Sequence, residues 1–273
     1  MATVIVYRST SASFAAKRVA KAGNGKIRAT QEDTYRYVGG DRTVVRWDCY
    51  EDFGHVPSDI IDLNPALAVQ MARDKGTSRR LLAELAPPTW FTRPDIQLPA
   101  VVRPRQHKAG RRFFVCHSVG EVIRAVKRCG EGWYASRLIG KKREFRVFVV
   151  QGRVVAVSER FPSSPSDIAW NLARGGRLIN VNRKDWPISV VQAGIAAMGR
   201  IGLGFGAVDV CLDESDVPWV FEVNTSPALR NKWTIRQIAR GLAYEGEVKP
   251  VKEGAKKTRS YAHPAVLDKG DAP

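Results

Sequence analysis

Cysteine and histidine are scarce in this chain, four of each (Cys49, Cys116, Cys129, Cys211; His55, His107, His117, His263), with no CxxC and no HxxxH spacing. Thiols so few and so scattered read as reduced core residues of a cytoplasmic protein rather than as a disulfide framework or a zinc site. No run of about 18 apolar residues occurs, so nothing in the sequence is built to span a bilayer. The first residues, Met-Ala-Thr-Val-Ile-Val-Tyr, turn polar too soon for a signal peptide and read as a buried first strand. Zinc-finger spacing, a basic zipper and an aromatic RNA-binding signature are missing, as is any internal repeat. Acidic residues are in deficit, 27 against 44 Lys and Arg, for a formal charge of +17.

What is present is the composition of a globular protein, 44% hydrophobic and 26% charged over 273 residues, enough to bury a sizeable core. The positive excess suits nucleic acid, an acidic protein partner or a phosphorylated ligand. It is spread along the chain, with denser patches at residues 103–112, 137–146 and 249–259. Spread charge argues less for a duplex-binding face than one basic helix would.

Residues 3–7 and 43–47 read as strands and 11–21 as a helix, a truncated α/β unit. Asn64-Pro65 opens a helix running to about residue 85, with Asn as cap and Pro in the first turn, and Pro87-Pro88 stops it. Strands follow at 98–103, 112–116 and 133–138. Between the last two, Ser118-Val-Gly-Glu121 is a capping box for a helix ending near Gly130. Residues 144–150 and 153–159 form a hairpin about Gln151-Gly152, and 161–177 is a loop long enough to suggest a functional role. Helices are expected from Trp186-Pro187 to about 200 and over 233–244, and residues 246–273 read as a mobile basic tail.

The chemistry concentrates near residue 210. If residues 205–211 pair antiparallel with 218–224 across the polar turn at 213–216, Asp209 falls opposite Glu222, and alternation places Asn224 on the same face. Val208, Val210, Trp219, Phe221 and Val223 then point into a core. Opposed residues have Cβ atoms about 5 Å apart, and like charges so placed are destabilising unless a cation lies between them. Oxygen ligands without His or Cys suit a hard ion, and few ligands completed by water or phosphate suit magnesium better than calcium. An ordinary hairpin with solvated acids on its outer face is an equal alternative at this point. Glu144 and Arg146 share one strand face; they read as a structural ion pair or, beside a metal, as a ribose and a phosphate contact. Arg103 ends a strand at a basic loop. Asp74-Lys75, inside a helix, has no meaning alone.

In order along the chain, these segments resemble the ATP-grasp superfamily, closest to the ribosomal-protein glutamate ligases and related amino-acid ligases. The resemblance runs from about Arg73 to Leu229. Arg73-Asp-Lys75 resembles the family's lead-in helix, Pro99-Ala-Val-Val-Arg103 its central strand, and Tyr134-Ala-Ser136-Arg137-Leu138-Ile139 its hinge over the adenine. Glu144-Phe-Arg146, then Arg160, Asn171 and Gly175-Gly176, stand where the family has an acid, two arginines and an Asn-Gly-Gly loop. Asp209, Glu222 and Asn224 match its metal ligands. Three departures stand out: Arg103 replaces a phosphate lysine, the phosphate loop keeps one glycine (His107-Lys-Ala-Gly110-Arg), and Arg137 replaces the hinge acid, leaving adenine to backbone groups at 136–138.

The resemblance implies an α+β ATP-grasp fold, two α+β subdomains clasping ATP, behind a shortened α/β domain. The expected divisions are 1–65, 66–140, 141–245 and the tail 246–273. It implies an ADP-forming carboxylate–amine ligase acting through an acyl phosphate, with Arg146, Arg160 and Asn171 catalytic. Lys75, Arg103, Ser136, Arg137, Leu138 and Glu144 would hold ATP, and Asp209, Glu222 and Asn224 one or two magnesium ions, with manganese able to substitute. The charge points to an acidic co-substrate, whether small molecule, peptide or carried on nucleic acid. A phosphotransferase on the same fold, or a turnover-deficient ATP-grasp protein binding an anionic partner, shares every one of these residues. No general base stands out. One register condition is explicit: a two-residue turn at Gln151-Gly152 sends Arg160 to the face opposite Arg146, unless the strand bulges near Ser158.

Overall fold

The computed structural model describes residues 2–8, 10–35, 41–50, 57–106, 112–164, 167, 168, 170 and 175–244. Four strands, β1 (Ala2–Tyr7), β2 (Ile27–Gln31), β3 (Asp41–Trp47) and β4 (Ile61–Asp62), form a parallel sheet in the order β2-β1-β3-β4, with helix α1 (Thr10–Ala22) as the first crossover. Strand β2 alternates but offers only Ile27 and Ala29 to the core, and β4 is two residues long, so neither is legible from the sequence as a strand.

The stretch from Asn64 to Leu85 is two helices rather than one, α2 (Ala66–Arg73) and α3 (Lys75–Leu82). Asp74 breaks the helix with an extended backbone and caps α3 by accepting from the Thr77 amide. Asn64 does not cap α2. Its buried side chain donates to Phe205 O at 2.9 Å and to Arg46 O at 3.2 Å and accepts from Phe205 N at 2.9 Å, imitating a strand partner.

A second sheet contains β5 (Thr89–Trp90), β6 (Ala100–Pro104), β7 (Phe114–Cys116) and β8 (Trp133–Arg137) in the antiparallel order β5-β8-β6-β7. Helix α4 (Val119–Cys129) covers it. Its capping box is as expected: Ser118 accepts from the Glu121 amide, and the Glu121 carboxylate accepts from that of Ser118. The third sheet has five antiparallel strands, β9 (Lys141–Val150), β10 (Arg153–Phe161), β11 (Arg177–Asn180), β12 (Phe205–Asp213) and β13 (Pro218–Asn224), in the order β11-β10-β9-β12-β13.

Helices α2, α3 and α5 (Ile188–Ile201) pack on one face of the third sheet, over Phe145, Val147, Val208, Val210 and Val220. The opposite face meets α6 (Lys232–Leu242), α1 and the first sheet through Phe148, Val150 and Phe205, with the Phe205 and Trp47 ring centroids 4.6 Å apart. The apolar faces of α2 and α3 thus join the core of the third sheet, while Asp74 and Lys75 tie the start of α3 to Arg105, just past β6. All four cysteines are free and buried, and burial pushes the Cys211 thiol well above its ordinary value. Among the described residues no helix is long and apolar enough to cross a membrane.

Candidate active site

The chemistry lies on the face of the third sheet that also carries Phe148 and Val150. Asp209, on β12, is flanked by Arg146 on β9 and by Glu222 on β13, the pairing predicted for the two acids. Arg146 grips Asp209 with a two-pronged bond, Nε to Oδ1 at 2.7 Å and Nη2 to Oδ2 at 2.8 Å, and Arg160 Nη2 reaches Oδ2 at 3.1 Å. Burial alone pushes the Asp209 carboxyl up, but the two guanidinium groups override it and hold it well below the usual carboxylate range. The cation between the opposed acids is thus already supplied, on the Asp209 side, by arginine.

Arg160 reaches this face because β10 bulges. The register runs Val154↔Val149 and then Ala156↔Phe148, so Val155 is the extra residue and Arg160 ends opposite Glu144. The bulge lies three residues before Ser158, where the sequence had suggested it, and has the required effect. Glu144 does not pair with Arg146. It is buried, with Oε1 2.7 Å from Arg160 Nη1 and Oε2 2.6 Å from Lys141 Nζ.

A second bulge shapes β13. Asp209 pairs with Glu222 but Val210 with Val220, leaving Phe221 as the extra residue. Val220 and Val223 enter the core, as expected of Val223. Trp219 and Phe221 lie outside that cluster, although Trp219 is itself buried. Trp219 stacks under the Arg137 guanidinium at 5.0 Å and donates its indole N–H to Asp213 at 2.9 Å, and Phe221 turns into a cavity. Glu222 meets Lys75 Nζ at 2.8 Å. Burial would raise its pKa, but the lysine outweighs it and the carboxyl stays below its ordinary value. Lys75 owes this reach to the break at Asp74, which starts α3 there.

A cavity of about 150 Å³ lies between the second and third sheets. Its polar end has Glu144, Arg160, Asp209 and Glu222; its apolar walls include Val101, Leu138, Ile139 and Phe221; Arg103, Ser136 and Arg137 line it as well, whereas Lys75, predicted beside them, borders a neighbouring cleft. At the hinge, the Arg137 and Leu138 amides donate to Pro88 O at 2.9 Å and Pro99 O at 3.1 Å. Those two donors are thus not available to a base, which narrows the backbone groups that the sequence offered at 136–138. Arg146 reaches the site through Asp209. Asn171, the 107–111 loop and the tail from 246 lie outside the described residues.

Beyond Glu222 opens a polar cleft of about 800 Å³, bordered by Asp48, Tyr50, Arg73, Lys75 and Asn224. Tyr50 sits between two guanidinium groups, Arg8 at 4.4 Å and Arg73 at 4.6 Å from its ring centroid. Among the described residues the cleft's cations are matched, Arg73 with Asp48 and Lys75 with Glu222, and its further acid Asp74 is met by Arg105 from outside the cleft. Glu222 belongs to both spaces.

A profile of the RimK-like ATP-grasp domain matches residues 89–242, more than half of the chain. The chain belongs to the RimK-like ATP-grasp family. Its fold is that of solved ATP-grasp ligases. An L-amino acid ligase from Bacillus licheniformis is 16% identical, with a TM-score of 0.55 over 92% of this chain and 78% of the other. The ATP-grasp ligase PsnB, solved with a precursor variant, Mg and ADP, is 11% identical, with a TM-score of 0.61 over 88% and 98%. A peptide-associated ATP-grasp ligase from Chryseobacterium gregarium, in complex with ADP and a leader and core peptide, is 13% identical, with a TM-score of 0.61 over 89% and 96%. A comparison with curated proteins by sequence gives no match.

The ATP-grasp site fits magnesium by the chemistry of its donors. Among the described residues no group of three His, Cys, Asp or Glu side chains could hold a metal, so an ion would rest on two carboxylates, the Asn224 amide, phosphate and water. The Asn224 side chain has room for it, since its buried Nδ2 has no partner, and oxygen and nitrogen of such an amide exchange by a flip. Three residues lining these two spaces were missed from the sequence. Lys141, inside a basic run, holds Glu144 and lies 4.4 Å from the Trp170 ring centroid; Tyr50 gave no signal; Arg79 looked like one more helix charge.

Proposed function

We propose that the protein is an ATP-dependent, ADP-forming carboxylate–amine ligase that works through an acyl phosphate. The observation that carries this reading is the double position of Glu222, a wall of both the cavity and the neighbouring cleft. ATP in the cavity has its base against Val101, Leu138 and Phe221 and its ribose near Glu144. Its phosphates run toward Arg103, Arg160 and Glu222, so the γ-phosphate faces the cleft. A carboxylate in the cleft attacks that phosphorus in line; the bond to the β-phosphate oxygen breaks, and ADP leaves. A neutral amine then adds to the acyl carbon, expelling inorganic phosphate and losing a proton.

Charge on the transferring group is offset by Lys75, Arg146 and Arg160, fixed in advance by the ion pairs described above, and by Arg103 on the cavity wall. Magnesium held by Asp209, Glu222 and Asn224 would neutralise phosphate charge as a Lewis acid. Guanidinium N–H groups occupy three acceptor positions of the Asp209 carboxylate, so an ion there would share it with Arg146 and Arg160. The divisions proposed are an α/β unit to residue 65, a central subdomain over 66–140 and a C-terminal one over 141–245.

We assign the substrates as an amino acid or acidic carboxylate and an amine on an amino acid or peptide. The acidic preference rests on the charge of +17, since the cleft's own cations are matched by acids. The test is incubation with magnesium-ATP and panels of amino acids and peptides, following ADP, phosphate and product mass. Equal release of ADP and phosphate with a product one water lighter than the two substrates is expected. A phosphorylated acceptor with ADP but no phosphate would show a kinase instead.

A further inference from the structure

Phe221 and Glu222 are consecutive residues of one strand, yet both line the nucleotide cavity. A regular strand sends neighbours to opposite faces. The bulge at Phe221 allows the exception, and it lies on β13, an edge strand with β12 on one side only. Bulges leave main-chain groups out of the ladder, and buried carbonyls need a donor.

That donor is Arg79. It stands four residues after Lys75 on α3, so both side chains leave one face of the helix. Its guanidinium is buried and donates to Phe221 O at 2.8 Å from Nη2 and to Val220 O at 3.3 Å from Nη1, main-chain acceptors rather than a carboxylate. A buried guanidinium is costly, and a neutral core residue would fill the space as well. Its planar fork does what no aliphatic side chain can: it holds two successive carbonyls in fixed relation. Lys75 meanwhile holds the Glu222 carboxylate at 2.8 Å.

We infer that Arg79 is a positioning residue for Glu222, holding the bulge that turns Phe221 and Glu222 into the same cavity. The inference rests on the proposed reading of Glu222 as a metal ligand. Arg79 itself lines part of that cavity, and the inference concerns its two main-chain bonds to the bulge rather than a contact with nucleotide or metal. Helix α3 then sets the acid twice, at its main chain through Arg79 and at its carboxylate through Lys75.

The test is a double-mutant cycle read by manganese binding to the full chain in saturating ADP, by calorimetry. Arg79→Met should weaken manganese binding about tenfold or more, the scale of losing support behind a metal ligand. In the Glu222→Gln background the same change should cost less than about twofold, because the acid it positions is already gone. Phe148→Ala, a destabilised control away from the bulge, should bind manganese as the parent does. Manganese affinity within twofold of the parent in Arg79→Met, or an equal loss with and without Glu222, would overturn the inference. If Arg79→Met does not fold, Arg79→Lys decides: it keeps the charge but bonds one carbonyl, so a loss of about three- to fivefold is expected, and parent-like binding would overturn it. Parent-like binding by Glu222→Gln alone would remove the metal reading itself, and the inference with it.

Discussion

One face of the third sheet has two halves with opposite chemistry on the same strands. On β9 the alternate residues run Glu144, Arg146, Phe148, Val150; on β12 they run Cys211, Asp209, Ala207, Phe205. The ionic half holds Asp209 between two arginines beside the cavity, and the apolar half packs on α1, α6 and Trp47. Alternation decides which face a residue takes but not what lies above it. The change from salt bridge to hydrocarbon within two residues is made by the first sheet and α6, which cover one end and leave the other to the cavity.

The sharpest way to test the division is to damage each half separately. Glu222→Gln, beside the ionic half on the edge strand, should lower magnesium-dependent ATP turnover by on the order of a hundredfold or more. Its side chain is 32% exposed and its partner Lys75 14%, so the melting temperature should fall by less than on truncating a fully buried core residue. Phe148→Ala should do the opposite. The residue is 3% exposed, and its truncation should cost about 3–5 kcal/mol, on the order of 10 °C in melting temperature for a chain of this size. Turnover per folded molecule at 20 °C should stay within about twofold of the parent. If Glu222→Gln melts as early as Phe148→Ala, or Phe148→Ala turns over slowly while folded, the two halves are not separable.

A smaller effect separates the halves by pH. The folded Asp209 carboxyl lies below its ordinary value, against opposing burial, because of Arg146 and Arg160. A group depressed in the fold adds stability that is complete above its unfolded pKa, about 3.9, and is lost as pH falls toward the folded value. Glu222, held down by Lys75 against burial, acts in the same sense. Denaturant midpoints of the parent should therefore fall from pH 5 to pH 3, and Asp209→Asn should fall less steeply over that range. The loss in Phe148→Ala should be the same at every pH. An acid limb unchanged in Asp209→Asn would mean that the ionic half adds nothing to stability.

Much of the site was legible because alternation and a short turn suffice to set Asp209 opposite Glu222. The same rule failed two residues away, since Trp219 and Phe221 obey a bulge that Arg79 supports from another element. Arg160 needed a bulge too, and there the sequence exposed the conflict, because an arginine in the family's order stood on the wrong face. Asn64-Pro65 carried a sound local signal for a helix cap, yet Asn64 bonds to Phe205, distant in sequence. Asp74 did the reverse, since a residue read as mid-helix is a cap. Glu144 and Arg146 have the spacing of an ion pair, but Arg160 and Asp209 lie directly across neighbouring strands and take one partner each. Local pattern was overruled wherever a second element supplied the partner.

The smallest expected effect concerns the turn that starts this register. Gln151 and Gly152 both have positive φ, 49° and 68°, the geometry of a two-residue hairpin turn in which asparagine at the first position is favoured over glutamine. The Gln151 amide donates to Gly204 O at 2.6 Å, a main-chain bond that substitution leaves in place. Gln151→Asn should therefore stabilise the fold by a few tenths of a kcal/mol, since asparagine tolerates the left-handed region better. The turn belongs to the apolar half, next to Val150, and Val155 absorbs the extra residue before β10 reaches Arg160. If that bulge isolates the ionic half, ATP turnover in Gln151→Asn should equal the parent's within error while the melting temperature rises slightly. A change in turnover would show that the turn's register is felt at Arg160 and that the bulge is a soft joint.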